Sequence, residues 1–216
     1  MLASKAAAPI GVLGGTFDPI HFGHLRVAFE LLECLQLAEV RFIPCREPPH
    51  RHAPSRSADL RLEMVQAAVA GESRFRVDER ELRRVGPSYT VETLTSLREE
   101  YPTRSLCLLL GMDAFLGLPG WHRWTELVDY AHIIVAHRPG WVAQHEGPLG
   151  ELLAQHRADR ASSVHESSGG RIVVTPVTQL EISSTNLRSA MARGGDPRYL
   201  VPDGVREVIL RSGCYR

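Results

Sequence analysis

The tightest constraint on the fold lies near the start of the chain, where an apolar run, 9–14 (PIGVLG), ends in glycines and gives way to Leu25, Ala28, Phe29, Leu32 and Leu35. The run reads as a strand, and the spacing of the five apolar residues puts them on one face of a helix. A second strand is read at 39–44 (EVRFIP). Strand, glycine loop, helix and strand make a β-α-β unit, whose crossover is right-handed and whose strands run parallel.

Later segments repeat the alternation. Helical spacing recurs at 59–71 and at 90–101 through Val91, Leu94, Leu97 and Tyr101, while 105–111 (SLCLLLG) and 131–136 (AHIIVA) are apolar without polar alternation. Strands of that kind are buried on both faces, as in a parallel sheet covered by helices. A last strand is read at 171–177, then helices at 184–193, stopped by Gly194 and Gly195, and at 203–211. The stretch 142–170 is rich in Gln, His, Glu, Ser and Gly and reads as a peripheral helix plus loop without core packing. The expected architecture is α/β: one domain over 1–216 with a doubly wound, mostly parallel Rossmann-like sheet, helices on both faces and a C-terminal helical segment at 182–216.

Composition narrows the class. With 216 residues, 44% of them hydrophobic, the chain can bury a sizeable core without disulfides or metals. Basic and acidic residues balance at 25 each, so no global field points to nucleic acid. Cys34, Cys45, Cys107 and Cys214 form no C-x-x-C pair, and Cys34 and Cys107 lie in apolar runs where a thiol serves as a small hydrophobe. No apolar run reaches the roughly 18 residues of a membrane span, and the first residues lack a signal-peptide core. The expectation is a cytoplasmic protein without membrane or nucleic-acid partners; a homo-oligomer stays open.

Ligands of doubly wound sheets sit beyond the carboxyl ends of the strands, which points to 14–24. Gly14 and Gly15 let backbone approach a ligand, and free N–H groups at the mouth of the next helix attract phosphate. The glycines match neither G-x-G-x-x-G nor a P-loop, since no acid ends the second strand and no lysine follows. His21 and His24 lie on one face of the first helical turn and can donate to one group of phosphate oxygens. A zinc pair and two solvated or capping histidines are the competing readings. Zinc requires at least three protein ligands, and neither H-E-x-x-H nor a neighbouring cysteine is present, so no protein-held metal is expected.

The segment GGTFDPIHFGH (14–24) resembles the G-x-F-D-P-x-H-x-G-H signature of the nucleotidyltransferase α/β phosphodiesterase superfamily, and ISSTNLR (182–188) resembles its second signature. Within that superfamily the chain is similar to the bacterial nicotinate mononucleotide adenylyltransferases. The matching pieces are PPHR (48–51), PSYTVETL (87–94), LLLGMDAF (108–115), PGWHRW (119–124), AHIIVAHRPG (131–140) and the closing GCYR. The resemblance implies transfer of the adenylyl group of ATP to nicotinate mononucleotide in NAD biosynthesis, with Mg²⁺ bound mainly through the ATP phosphates. It implies that His21, His24 and Arg188 are catalytic, and that Gly14, Gly15, Thr16, Phe17, Gly111, Asp113, Ser183, Ser184 and Thr185 bind ATP with them. His50 and Arg51 resemble the family's basic position near the mononucleotide phosphate, and Arg138 is a candidate for the same region. Nicotinamide mononucleotide or phosphopantetheine as acceptor, and a catalytically silent nucleotide sensor, stand as alternatives.

The residues carry their own parallel reading. Ser183, Ser184 and Thr185 open a helix whose hydroxyls and N–H groups meet anions, with Arg188 one turn from Ser184; an ordinary capped helix with a solvated arginine explains the same pattern. Trp121, in a Gly/Pro-rich loop past a strand end, suits stacking on a pyridine ring or packing of its own loop. Ser88, Tyr89 and Thr90 open a helix fit to receive the nicotinate carboxylate, or simply cap it. Asp113, after Gly111, accepts ribose hydroxyl hydrogens or serves as an N-cap. Asp18 orients His21 or a metal-bound water, or shapes the Asp-Pro turn.

Overall fold

Successive residues of a strand face opposite sides of its sheet, and in the computed structural model, which describes residues 7–49, 54–137 and 146–215, both sides are covered. The elements are β1 (Ile10–Gly15), α1 (Phe22–Cys34), β2 (Glu39–Pro44), α2 (Ala58–Val69), β3 (Phe75–Val77), α3 (Arg80–Arg83), α4 (Thr90–Glu100) and β4 (Leu106–Gly111). They continue with α5 (Met112–Leu116), α6 (Leu127–Tyr130), β5 (His132–His137), α7 (Gly147–His156), β6 (Ile172–Pro176), α8 (Ser184–Ala192) and α9 (Asp203–Ser212). The strands form one sheet in the order β3-β2-β1-β4-β5-β6, with every neighbouring pair parallel.

Leu106, Leu108 and Leu110 of β4 join Ile10 and Val12 of β1 and Ile133 and Val135 of β5 under Val91, Leu94 and Leu97 of α4. Cys107 and Leu109, with Phe42 and Ile134, face the other way, against Leu31 and Leu32 of α1, Met64 and Val65 of α2, Leu187 of α8 and Val208 of α9. The unbroken apolar runs of β4 and β5 follow from this double burial.

The order reverses at β1: the chain adds β2 and β3 on one side, then crosses to add β4, β5 and β6 on the other. Pairing of β1 with β4 ends at Val12 and Leu108, whereas pairing with β2 continues to Gly15 and Pro44. The carboxyl ends of β1 and β4 therefore part and open the crevice in which such sheets bind ligands.

Two expectations need correction. The stretch after 145 is not peripheral: Leu152 and Leu153 of α7 and Val164 are buried, and the chain leaving α7 joins β6 through Ala158 N–H and Ile172 O at 2.9 Å. Its apolar residues are too few to display a period, yet Ser105 Oγ–H on Val164 O at 2.6 Å fastens them beside β4. Cys34 is exposed at the end of α1, while Cys107 is buried as expected. The apolar stripe of α1 passes through Ala28, Leu31 and Leu32 and leaves Cys34 on the solvent side. The three-residue β3, absent from the sequence reading, is too short to show alternation. No helix among the described residues is long and apolar enough to cross a membrane.

Phe42 is fully buried, with its ring 5.0 Å from that of Phe75. Phe42→Ala is expected to lower stability in urea unfolding by about 3–5 kcal/mol; a loss below about 1 kcal/mol would place little of the packing there.

Candidate active site

The loop between β1 and α1 occupies the mouth of the crevice. Phe17 adopts the left-handed region at φ 48° and is nevertheless buried. A Cβ on Gly15 would lie 2.8 Å from the Phe17 ring, so only glycine leaves that ring its place. Phe17 meets His24 edge-on with centroids 5.3 Å apart, and His24 stacks on His21 at 3.8 Å. The His21 backbone N–H donates to His24 Nδ1 at 3.3 Å. A neutral His24 therefore carries its proton on Nε2, as a donor. Between the two histidines, a Cβ on Gly23 would fall 2.9 Å from His21 Nδ1, which accounts for the glycine there.

His21 is buried, and burial lowers its pKa to about 4, so the ring is neutral at physiological pH. Its Nδ1 has no hydrogen-bond partner among the described residues. The structure thus brings His21 and His24 together as a stacked pair fixed by Phe17.

The far end of the chain closes on this loop. Arg188 Nη1 donates to Asp18 O at 2.7 Å, Ser184 Oγ donates to Pro19 O at 2.9 Å, and Phe22 N–H donates to Leu200 O at 3.1 Å. Asp18 is buried, and its carboxylate accepts from Tyr215 Oη at 2.5 Å and from Ser55 N–H and Oγ at 2.7 Å each. Both Asp18 oxygens are thereby engaged in holding the loop to residues 55 and 215. Tyr215 and Ser55 were not singled out from the sequence: only the closing GCYR match touches one of them, and hydroxyls so far from residue 18 carry no local signal. Ser183 is the N-cap of α8, accepting from Asn186 N–H at 3.2 Å, and Thr185 Oγ1 accepts from Arg188 Nη2 at 3.3 Å. Capping thus explains Ser183, whereas Ser184 and Arg188 fasten the second motif to the first.

Across the crevice, Gly111 is the N-cap of α5 and no side chain caps that helix. Asp113 lies exposed in its first turn, so the capping alternative does not account for it. Ser88 is buried, and its Oγ accepts from Arg46 N–H at 3.0 Å and Glu47 N–H at 3.4 Å. Tyr89 is the N-cap of α4, again without a side-chain cap, so neither Ser88 nor Thr90 serves as one. No side chain caps the first N–H groups of α4. The Tyr89 ring lies 4.4 Å from that of His122, which joins the Ser-Tyr-Thr segment to the tryptophan loop, and Trp121 packs half-buried against the core under α4. His122, next to Trp121, was also missed from sequence. His50, Arg51 and Arg138 lie outside the described residues. Among the described residues, no three His, Cys, Asp or Glu side chains converge on a point where a metal ion would sit.

The buried imidazole has a consequence for stability. With its pKa lowered from 6.5 to about 4, His21 binds a proton more readily in the unfolded chain, so its contribution is present above pH 6.5 and lost as the pH falls towards 4. The loss is on the order of 3 kcal/mol. Urea unfolding between neutral and mildly acidic pH is expected to show this slope in the wild type and a shallower one in His21→Gln; equal slopes would contradict a buried neutral ring.

Comparison with known proteins gives the same picture. The family model described as cytidylyltransferase-like matches residues 12–190. The "Probable nicotinate-nucleotide adenylyltransferase" of Aeromonas hydrophila is 51% identical over 208 residues, covering 96% of this chain and 97% of its own length. The similarly named protein of Halorhodospira halophila is 48% identical, covering 95% of this chain and 94% of its own. A Plasmodium falciparum nicotinic acid mononucleotide adenylyltransferase, solved in complex with NaAD, superposes with a TM-score of 0.71 at 17% identity, over 96% of this chain and 97% of that one, which speaks for the fold. A signature loop at the β1–β4 crevice, a second motif fastened onto it and 48–51% identity to these relatives over nearly the full length place the chain in the cytidylyltransferase-like family, among the nicotinate-nucleotide adenylyltransferases.

Proposed function

We propose that the chain transfers the adenylyl group of ATP to nicotinate mononucleotide, giving nicotinate adenine dinucleotide and pyrophosphate. The observation that carries this reading is the meeting of the two motifs: Arg188 on Asp18 O at 2.7 Å, beside the stacked His21 and His24, where the crevice opens. The names of relatives at 48–51% identity support it.

The 5′-phosphate oxygen of the mononucleotide attacks the α-phosphorus of ATP in line; the bond from that phosphorus to the β-bridging oxygen breaks, and pyrophosphate leaves. The nucleophile is already anionic, so the chemistry needs alignment and charge stabilisation rather than a general base. His24 donates from Nε2 and His21 as a neutral donor. Arg188 spends two of its five N–H donors on Asp18 and Thr185, and in the proposed reaction the remaining donors serve the phosphates. The backbone of Gly14, Gly15, Thr16 and Phe17 admits ATP, with Ser183, Ser184 and Thr185 at the mouth of α8, and Asp113 beyond Gly111 accepts from a ribose hydroxyl. On the acceptor side, the uncapped α4 helix at Tyr89 and Thr90 meets the nicotinate carboxylate, which an amide lacking that charge would match less well. Trp121 stacks on the pyridine ring, Ser88 holds the segment in place, and His50, Arg51 and Arg138 take the phosphate.

The donors present fit magnesium held by the substrate rather than by the chain, because the oxygens of Asp18 are taken by Tyr215 and Ser55. Bound with ATP, the ion neutralises phosphate charge.

Pyrophosphate release from ATP and Mg²⁺ with nicotinate mononucleotide, nicotinamide mononucleotide or phosphopantetheine in parallel tests the assignment. The highest kcat/KM is expected for nicotinate mononucleotide, and turnover with phosphopantetheine alone would refute it. His24→Ala is expected to lower kcat by about 10²–10³ with a smaller change in the KM for ATP; a near-wild-type kcat would remove His24 from the mechanism.

A further inference from the structure

One buried cation takes no part in the chemistry above. Arg61 lies on α2 at helical spacing with Met64, Val65 and Val69, inside the apolar stripe, and is 1% exposed. A guanidinium taken out of water needs a counter-charge or a shell of acceptors. Three backbone carbonyls are among its hydrogen-bond partners: Nη1 donates to Thr16 O at 2.7 Å, Nη2 to Arg46 O at 3.2 Å and Nε to Arg56 O at 3.3 Å, and the Cys45 thiol lies beside it. The planar fork reaches three directions at once, which a lysine ammonium on its flexible stem cannot reproduce.

Those carbonyls belong to different parts of the site. Thr16 lies in the ATP-side loop after β1, Arg46 follows β2, and Arg56 precedes α2. The amide N–H of Arg46 donates to Ser88 Oγ at 3.0 Å, so the Arg46 residue joins Arg61 to the mouth of α4. A continuous series of contacts, Thr16 to Arg61 to Arg46 to Ser88, thus runs from the ATP side of the crevice to the nicotinate side.

We propose that Arg61 is a positioning residue for adenylyl transfer, its three carbonyl bonds setting the separation of the ATP-side loop and the mononucleotide-side helix. A two-substrate displacement requires the attacking oxygen within about 3–3.5 Å of its target, and displacements near 1 Å cost on the order of 10²-fold in rate. Arg61 touches neither reacting group and acts through the loops it holds. The inference rests on the proposed reaction and adds a requirement that the reaction itself does not impose.

The test compares Arg61→Lys and Arg61→Met with the wild type in the full-length chain, measuring pyrophosphate release with ATP and nicotinate mononucleotide and, by circular dichroism, the folded fraction at the assay temperature. Both variants are expected to stay folded, to lose roughly 10²-fold in kcat, and to keep the KM for each substrate within about threefold. A Lys variant with wild-type kcat would show that charge alone suffices and would overturn the proposal. Loss of activity matched by loss of folded protein in both variants would overturn it equally, by making Arg61 a stability element. A folded wild type that releases no pyrophosphate would overturn the reaction and, with it, the role of Arg61; an active wild type with unaffected variants would overturn the role alone.

Discussion

The buried carboxylate of Asp18 is the contact on which the site depends. A carboxylate out of water must be satisfied by donors, and here they come from residues 55 and 215, while the Asp18 carbonyl takes Arg188. Each hydrogen bond to a charged group is worth about 1.5–3 kcal/mol net, and loss of one leaves the charge exposed to its full desolvation cost. The histidine loop is therefore held by the last residues of the chain. Contacts from α8 and from Tyr215 thus fix the backbone that carries the N-terminal signature.

The same economy of charge shapes the histidine pair. Two imidazolium rings stacked at 3.8 Å would repel each other, and burial keeps His21 neutral, with a pKa lowered to about 4. The cation at the histidine loop is Arg188, whose guanidinium holds the Asp18 carbonyl, while the buried Arg61 is spent on the carbonyls of Thr16, Arg46 and Arg56. In the proposed reaction an arginine anchored in the fold meets the polyanionic substrates, and the histidine pair contributes directed N–H donors. The crevice owes its position to topology: β1 and β4 diverge after Val12 and Leu108.

Legibility of the fold from sequence followed the strength of local pattern. The opening β-α-β unit and the buried strands β4 and β5 carry long apolar runs or a clear helical period, and each lies where expected. The burial of Leu152, Leu153 and Val164 was invisible because too few apolar residues recur there, and β3 because three residues show no alternation. At the site, residues inside the two signatures were legible, and the structure brings them together. The partners of Asp18 were not, since Ser55 and Tyr215 meet it only through the tertiary fold. Arg61 did leave a trace: a charged residue in the apolar stripe of a helix marks a buried polar requirement.

In the proposed reaction His24 of the first motif and Arg188 of the second form one clamp on the phosphates. A double-mutant cycle between His24→Ala and Arg188→Ala, read in kcat for ATP and nicotinate mononucleotide, tests it most directly. Groups acting on one transition-state charge are strongly non-additive. The double variant is predicted to lose little more than the weaker of the two single variants. Losses that add in full would show two independent sites and contradict the clamp.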